Sequence, residues 1–501
     1  MKTVSRTPLL ALVCVSLLTH TLSAQDHVWP QFRGPNCSGI AAEGEKPPIT
    51  FGPQRNVLWK TPLPLGHSSP CIWGDRIFVT GCDKSKKELY VVCVDRKTGS
   101  IRWEKTIAVE RFYKAHGMNN AATATATTDG ERVYAYFSSY EIACYDNEGN
   151  PVWSQSLPDP QSFNGSASSP ILARDYVILN RDGNKNAHFL CLNKHNGDLI
   201  WKVDLPPPLE SEGFLTSHST PVVWKDQFIT HRAGEIAVYD IESGERTCWY
   251  TSFSTGASTP VVVNDIIYVA TWHSFGESHF RGKIPEFEAM TNKYDTDEDK
   301  LLSKTEIPDD LYLAVRPELM DVQDTKLSAR HVFDYIDKNK DSQVNQVEWS
   351  DFTNEVVTAW YFDHGLIALD PEKNEKGSLP SSAVLWKEVN DVPEVPTPIC
   401  LRDRIYMIKN GGIVSCMNAQ TGELLFRDRL EAKGLYISSP VAANNMIYIA
   451  SRNGIISVFE AGDTLNVLAK NDLEDKIMAT PAIVDNKIYV RTAEHLYAFG
   501  E

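Results

Sequence analysis

The sequence predicts an all-β fold: an eight-bladed β-propeller of tryptophan-docked repeats, closed by an N-terminal strand and carrying a small α-helical insertion. Three observations predict it. A strand-turn-strand unit begins eight times, most units end in an acid, a Gly turn and an aromatic, and one interval between starts stretches to 138 residues, Pro260 to Pro398. The composition agrees, since 42% hydrophobic and 23% charged residues suit a folded chain with a substantial core. The 49 Lys and Arg against 65 Asp and Glu leave a net charge of -16, which repels phosphates and argues against a nucleic-acid partner.

Residues 1–24 carry Lys2 and Arg6, then an apolar run from Leu9 to Leu18, then small residues up to Ser23 and Ala24. This order predicts a cleaved secretory signal. The run is about half of the roughly 20 residues that cross a hydrocarbon core, and no later stretch approaches that length. The expected location is therefore secreted or periplasmic, without a transmembrane segment. Cys14 lies inside the apolar run, which disfavours lipidation. Residues 25–56 form an N-terminal arm.

The repeat occupies 57–274 and 361–501. Ser219 to Asp240 shows it whole: a short apolar strand, a turn, a second strand, a Gly turn and a third strand ending in an acid. Its relatives start at Ser69-Pro70, near Ala124-Thr125, and at Ser169-Pro170, Thr220-Pro221, Thr259-Pro260, Thr397-Pro398, Ser439-Pro440 and Thr480-Pro481. Apart from the long interval, most spacings lie between 39 and 54 residues, the length of a four-stranded blade. One third-strand column reads Cys93, Cys144, Cys191, Val238, Ala368, Cys416, Val458 and Ala498. Cysteines alternating with Val and Ala are expected to be small buried hydrophobes, and no CxxC pair suggests metal or redox chemistry.

After the acid, Gly99 leads to Trp103, Gly149 to Trp153, Gly197 to Trp201 and Gly422 to Phe426, each four apart, with Gly244 to Trp249 one longer. A large ring on every blade would hold together units that share no central core. The eighth copy stops after its third strand, while Asn56-Val-Leu-Trp-Lys60 is an orphan of the fourth type. Trp59 is therefore expected to complete the last blade and close the ring.

The Asp95-Arg-Lys-Thr-Gly99-Ser-Ile-Arg-Trp103 pattern resembles the pyrroloquinoline-quinone-like eight-bladed β-propellers. That resemblance covers about 57–274 and 361–501. It implies either a quinone-dependent dehydrogenase or a non-catalytic scaffold similar to BamB. The opening Trp29-Pro-Gln-Phe-Arg-Gly-Pro-Asn36 is similar to the start of exported bacterial members without established activity.

Residues 275–360 fill the long interval. Two 12-residue segments, from Asp295 to Glu306 and from Asp337 to Glu348, put oxygen ligands at positions 1, 3, 5, 7, 9 and 12. The first set is Asp295, Asp297, Asp299, the Leu301 carbonyl, Ser303 and Glu306; the second is Asp337, Asn339, Asp341, the Gln343 carbonyl, Asn345 and Glu348. Six hard oxygens ending in a bidentate Glu suit Ca²⁺, and both segments resemble EF-hand loops. Position 6, where the sharp turn favours Gly, is Lys300 and Ser342, which should weaken affinity without abolishing it. Flanking apolar residues fall at helical spacing: Phe287, Met290 and Tyr294, then Val332, Phe333 and Ile336, then Trp349 and Phe352. With 19 acids and 10 bases from Phe275 to Trp360, bound cations would relieve repulsion. The insertion joins the second and third strands of the fifth blade, so it is expected to overhang the channel mouth.

Loops entering the first strands hold His67, His116, Asn119, Asn120, Asn164, Thr216, His218 and Tyr436, the expected polar ring of that mouth. None of the motifs for a nucleophile elbow, a zinc helix or a phosphate loop occurs. The functional expectation is an exported, calcium-binding, non-catalytic platform with protein partners on a propeller face. The alternative is an oxidoreductase acting on alcohols or sugars, with pyrroloquinoline quinone in the funnel.

Overall fold

The computed structural model describes residues 28–501, apart from 163, 184–185, 207–216, 253, 255, 274, 317, 319–325, 360–362 and 375. The candidate signal and Thr216 lie outside the described residues. Eight four-stranded antiparallel blades form the ring, seven with their strands in chain order from the channel outward and the eighth with an N-terminal strand at its outer edge. In the first blade these are Cys71–Trp73, Arg76–Asp83, Glu88–Asp95 and Ile101–Ala108.

Burial explains why the strands read as they do. The second and third strands are sandwiched by neighbouring blades and are apolar on both faces, whereas Ile101–Ala108 alternates because one side meets water. The core consists of layers between blades: Phe78 and Cys93 of blade 1 pack with Val133, Ala135 and Tyr145 of blade 2, and comparable layers follow round the ring. Cys93, Cys144, Cys191 and Cys416 are free and fully buried in these layers, as the column of Val and Ala implied.

Tryptophan docking runs between blades. The rings of Trp59, Trp103, Trp153, Trp201 and Trp386 lie on Gly99, Gly149, Gly197, Gly244 and Gly422 of the following blade, where an added Cβ would come within 2.6–2.7 Å of the ring. Each indole N–H donates to a backbone carbonyl of that blade, at 2.9–3.1 Å. The pattern breaks at blade 4, where Trp249 sits under the Arg246 guanidinium at 3.8 Å. There the next blade extends its outer loop into a strand, Gly377–Ser378, that pairs in parallel with Arg246–Ser252. Every outer strand also has a register shift against the third strand, so each exposed edge is bulged and twisted away from edge-to-edge pairing.

Closure follows the sequence expectation. Val57–Pro62 pairs with His495–Phe499, so the N-terminal strand supplies the outer edge of the C-terminal blade. The arm before it does something the sequence did not announce. Val28–Trp29 pairs with the innermost strand of blade 1, Arg33 reaches the carbonyls of Thr397 and Pro398 in blade 6, and Ile40 bridges to Ala442 in blade 7. Glu45 then accepts the N–H groups of Asp485 and Asn486 in blade 8. The arm thus spans the channel from the side of the first-to-second-strand turns.

The insertion leaves blade 5 after Ile266–Thr271 and returns at Gly365–Leu369, which pair with each other. It contains helices α1 (Phe287–Tyr294), α2 (Phe333–Ile336) and α3 (Gln346–Ala359) around a core of Met290, Leu302, Ile336, Val344 and Trp349. It is less helical than its spacing suggests. Among the described residues no helix directly follows the first loop; Tyr312–Val315 is a strand paired with Lys326–Ser328.

Candidate functional site

Two features concentrate the chemistry: a cup in the channel and the paired loops of the insertion. The cup, about 390 Å³, opens on the face of the loops entering the first strands, and Phe32 of the arm is part of its lining. Its wall is set by the unit starts themselves. The Ser69 N–H donates to Thr125 Oγ1 (2.9 Å), Thr125 to Ser169 (2.9 Å), Ser169 to Thr220 (3.1 Å) and Thr220 to Thr259 (3.2 Å). Thr259 donates to Thr397 (3.1 Å), Thr397 to Ser439 (3.0 Å), Ser439 to Thr480 (2.9 Å), and Thr480 back to Ser69 (3.0 Å). One hydroxyl per blade therefore links all eight innermost strands in a closed ring, and all eight face the cup. The ring also fixes the second unit start at Thr125, with Ala126 in the proline place.

Of the residues expected at the mouth, His67, His116, Asn119, Asn164 and His218 line the cup. The loop carrying His116 is tied to the next by His116 N–H and Asn119 Nδ2, both donating to the Asn164 carbonyl at 3.1 and 3.2 Å. Asn120 instead caps its own turn, accepting the Ala122 N–H at 2.8 Å. Tyr436 does not reach the cup: it is fully buried between blades 6 and 7, its hydroxyl donating to the Ala432 carbonyl. Trp272, Met118, Met478 and Glu394 also line the wall. Their loops lack any shared motif, and only the ring geometry brings them together.

The electrostatics of the cup are unusual for so acidic a chain. Glu394 is the single carboxylate among the described lining residues, and it is held by Arg316 at 2.8 Å and by the Asn410 amide at 3.1 Å. Behind the wall, Arg33 donates to the Thr397, Pro398 and Ser38 carbonyls, and Arg491 to Pro64 and Ser68. Neither has a carboxylate partner among the described residues, and burial pulls both guanidinium groups down to about 9, still charged at neutral pH.

Burial, reinforced by Arg491, lowers His67 to about 4, and burial lowers His218 to about 4. Both are neutral in the fold, while the unfolded chain takes up their protons near pH 6.5. Stability should therefore rise with pH between about 4 and 6.5 and flatten above, each imidazole contributing about 1.4 kcal/mol per pH unit within that window. Thermal unfolding at pH 7 and pH 5 checks this; an H218N variant with an unchanged pH slope would contradict it.

The insertion docks beside the mouth. Lys409 of blade 6 meets Glu277 at 2.5 Å, and Arg316 lies 5.2 Å above the Trp272 ring while holding Glu394. No described residue of 275–360 lines the cup, and the described contacts of the module with the ring run through Glu277 and Arg316.

Its two loops lie back to back, with Leu302 opposite Val344 and Ser303 opposite Gln343. In the first, side-chain oxygens of Asp295, Asp297 and Asp299 gather within 4.8 Å of one another. Asp295 accepts the Lys300 N–H (2.9 Å) and Asp299 the Leu301 N–H (2.8 Å), while Glu306 folds back onto Thr296 and Ser303. Those N–H groups pull the Glu306 carboxyl down to about 2, whereas burial and the neighbouring acids raise that of Asp297. The second loop repeats the arrangement: Asp337 accepts the Ser342 N–H, Asn339 that of Asp341, Asp341 that of Gln343, and Glu348 those of Lys338 and Asn345. Position 6 is left-handed in both, with φ 64° at Lys300 and 70° at Ser342. The strained turn is thus made without glycine.

A sequence-family model described as outer membrane protein assembly factor BamB matches residues 51–291. Among curated proteins, none matches the chain. The crystal structure of BamB from Moraxella catarrhalis superposes with a TM-score of 0.52 at 12% identity, covering 89% of this chain and 99% of its own. A europium-containing methanol dehydrogenase gives 0.55 at 11% identity over 95% and 98%. The quinohemoprotein alcohol dehydrogenase from Comamonas testosteroni gives 0.52 at 11% over 95% and 81%. At such identities the likeness is one of fold. Repeat match over residues 51–291 and ring geometry together show an eight-bladed β-propeller fold similar to that of the BamB-like, pyrroloquinoline-quinone-type proteins.

Proposed function

We propose that this protein is an exported, calcium-binding propeller that acts as a rigid interaction platform. The observation that carries the calcium reading is the pair of loops whose position-12 carboxylates, Glu306 and Glu348, fold back onto their own loops, with the side-chain oxygens of Asp295, Asp297 and Asp299 gathered within 4.8 Å of one another in the first. One of those oxygens, Asp295 Oδ1, is buried without a hydrogen-bond partner. It is a donor atom waiting for a hard cation. No described helix is long and apolar enough to cross a membrane. The description of the matching family, an outer membrane protein assembly factor, makes a protein partner on a propeller face the first to seek.

Calorimetric titration of the whole protein with Ca²⁺ tests the reading. Two sites are expected, and a cation at about 100 times its dissociation constant should stabilise the module by about 2.7 kcal/mol. An E306Q/E348Q double variant should lose both the binding heat and the calcium-dependent shift in melting temperature. Binding heat that survives the double substitution, or none in the natural chain, sinks it.

The alternative, an oxidoreductase, draws on the open cup with its three histidines. The donor set does not fit a metal-assisted quinone: Glu394 is spent on Arg316, and no three described cup residues bring metal-ligating atoms together. Reduction of a dye by the protein with pyrroloquinoline quinone and a primary alcohol would nonetheless overturn the platform reading.

A further inference from the structure

The eight ring hydroxyls have an unspent half. Each accepts one N–H from the preceding blade, and none donates its own proton to a described protein acceptor. All are at least 97% buried, so their O–H groups have only the cup to turn to. A hydroxyl that has accepted a hydrogen bond is a better donor. The wall is therefore a circle of donors.

Charge points the same way. Arg33 and Arg491 are buried directly behind ring members: Arg33 binds the Thr397 carbonyl, and Arg491 binds Ser68, next to Ser69. A buried cation without a carboxylate leaves a positive field in whatever low-dielectric space it adjoins. The one acid on the cup wall is cancelled by Arg316 from the insertion. Amide donors of Asn119 and Asn164 lie on the same wall. A protein of net charge -16 thus encloses a cup with donors, positive field and no free carboxylate among its described lining residues.

We propose that the cup binds a small organic oxyanion, a carboxylate or a phosphate ester, with its oxygens on the Ser/Thr ring in the field of Arg33 and Arg491. The volume, about 390 Å³, suits a ligand of metabolite size. Such binding needs neither the calcium loops nor a quinone, so it stands or falls apart from the proposed function.

The test is calorimetric titration of the whole protein at low ionic strength with tricarballylate, glycerol 2-phosphate and, as the uncharged control, glycerol. At least one anion is expected to bind, weakening as salt rises, while glycerol does not; which anion binds distinguishes carboxylate from phosphate ester. Ala167, a small residue of the wall, gives an isosteric pair. Ala167→Glu should weaken the anion at least tenfold, and Ala167→Gln should not. If the Glu variant fails to fold, the same pair at Ala257, also on the wall, replaces it. No binding by either anion, binding of glycerol as strong as theirs, or equal losses in the Glu and Gln variants would each overturn the proposal.

Discussion

Replacing Trp59 by alanine is expected to lower the stability of the whole ring by about 3–5 kcal/mol, the range for deleting a buried aromatic. The indole is 9% exposed, covers Gly99 in blade 1 and donates to the Arg96 carbonyl at 3.1 Å, with Tyr489 beside it at 6.1 Å. Its loss removes the packing and leaves a carbonyl without its partner. Trp386, which packs on Gly422 and donates to Ala419, should cost a similar amount because the local contact is the same. The two differ in place: Trp59 sits on the strand that closes the ring. Hydrogen exchange of the strands Lys487–Arg491 and His495–Phe499 should therefore quicken in W59A and not in W386A. A loss below about 1 kcal/mol in W59A, or identical exchange in both variants, would show that closure does not depend on this seam.

The second large effect is expected from Trp29→Ala, again about 3–5 kcal/mol, because this indole is wholly buried and stacked against Gly34. Gly34 has φ 70°, and a Cβ there would lie 2.6 Å from the ring, so glycine is required on both counts. The consequence reaches the cup. The next residue, Pro30, accepts the Thr128 N–H at 2.9 Å, the Thr127 hydroxyl at 3.2 Å and the Cys71 thiol at 3.1 Å, and Phe32 lies on the cup wall. Losing the anchor should loosen the arm and open the channel at its far end. Cys71, fully buried with its thiol pushed well above the usual range by that burial, is the reporter. Its labelling by a thiol reagent in native buffer should rise sharply in W29A. Unchanged labelling with an intact melting temperature would mean that the arm is decoration.

Much of the ring was legible because a propeller repeats one solution eight times. Burial on both faces makes the middle strands continuous apolar runs, and a ring stacked on a backbone without a side chain demands Gly and Trp at fixed spacing. The two acidic loops stand out in the sequence for a similar reason, since a cation of the proposed kind would be met by oxygens two residues apart. The sites that depend on parity or irregular backbone were not. Tyr436 stands only a few residues before a unit start, as the funnel residues do, yet its side chain turns into the layer between blades 6 and 7. Nor does local sequence reveal that Tyr312–Val315 would find a partner strand and end the helical pattern after the first loop.

By itself, then, the sequence determined the fold, the number of blades, their order and the seam at Trp59. All of these rest on contacts between positions whose spacing repeats along the chain. Tertiary structure alone decided that the arm spans the channel, that eight hydroxyls close into a circle, and that Arg316 of the insertion neutralises Glu394 on the cup wall. Those contacts join residues of different blades or modules, from 39 positions apart at Thr220 and Thr259 to 423 apart at Arg491 and Ser68. Local pattern is silent about them because their partners are brought together only when the ring closes, and the free energy of that closure comes from the blade-to-blade layers rather than from the groups it juxtaposes.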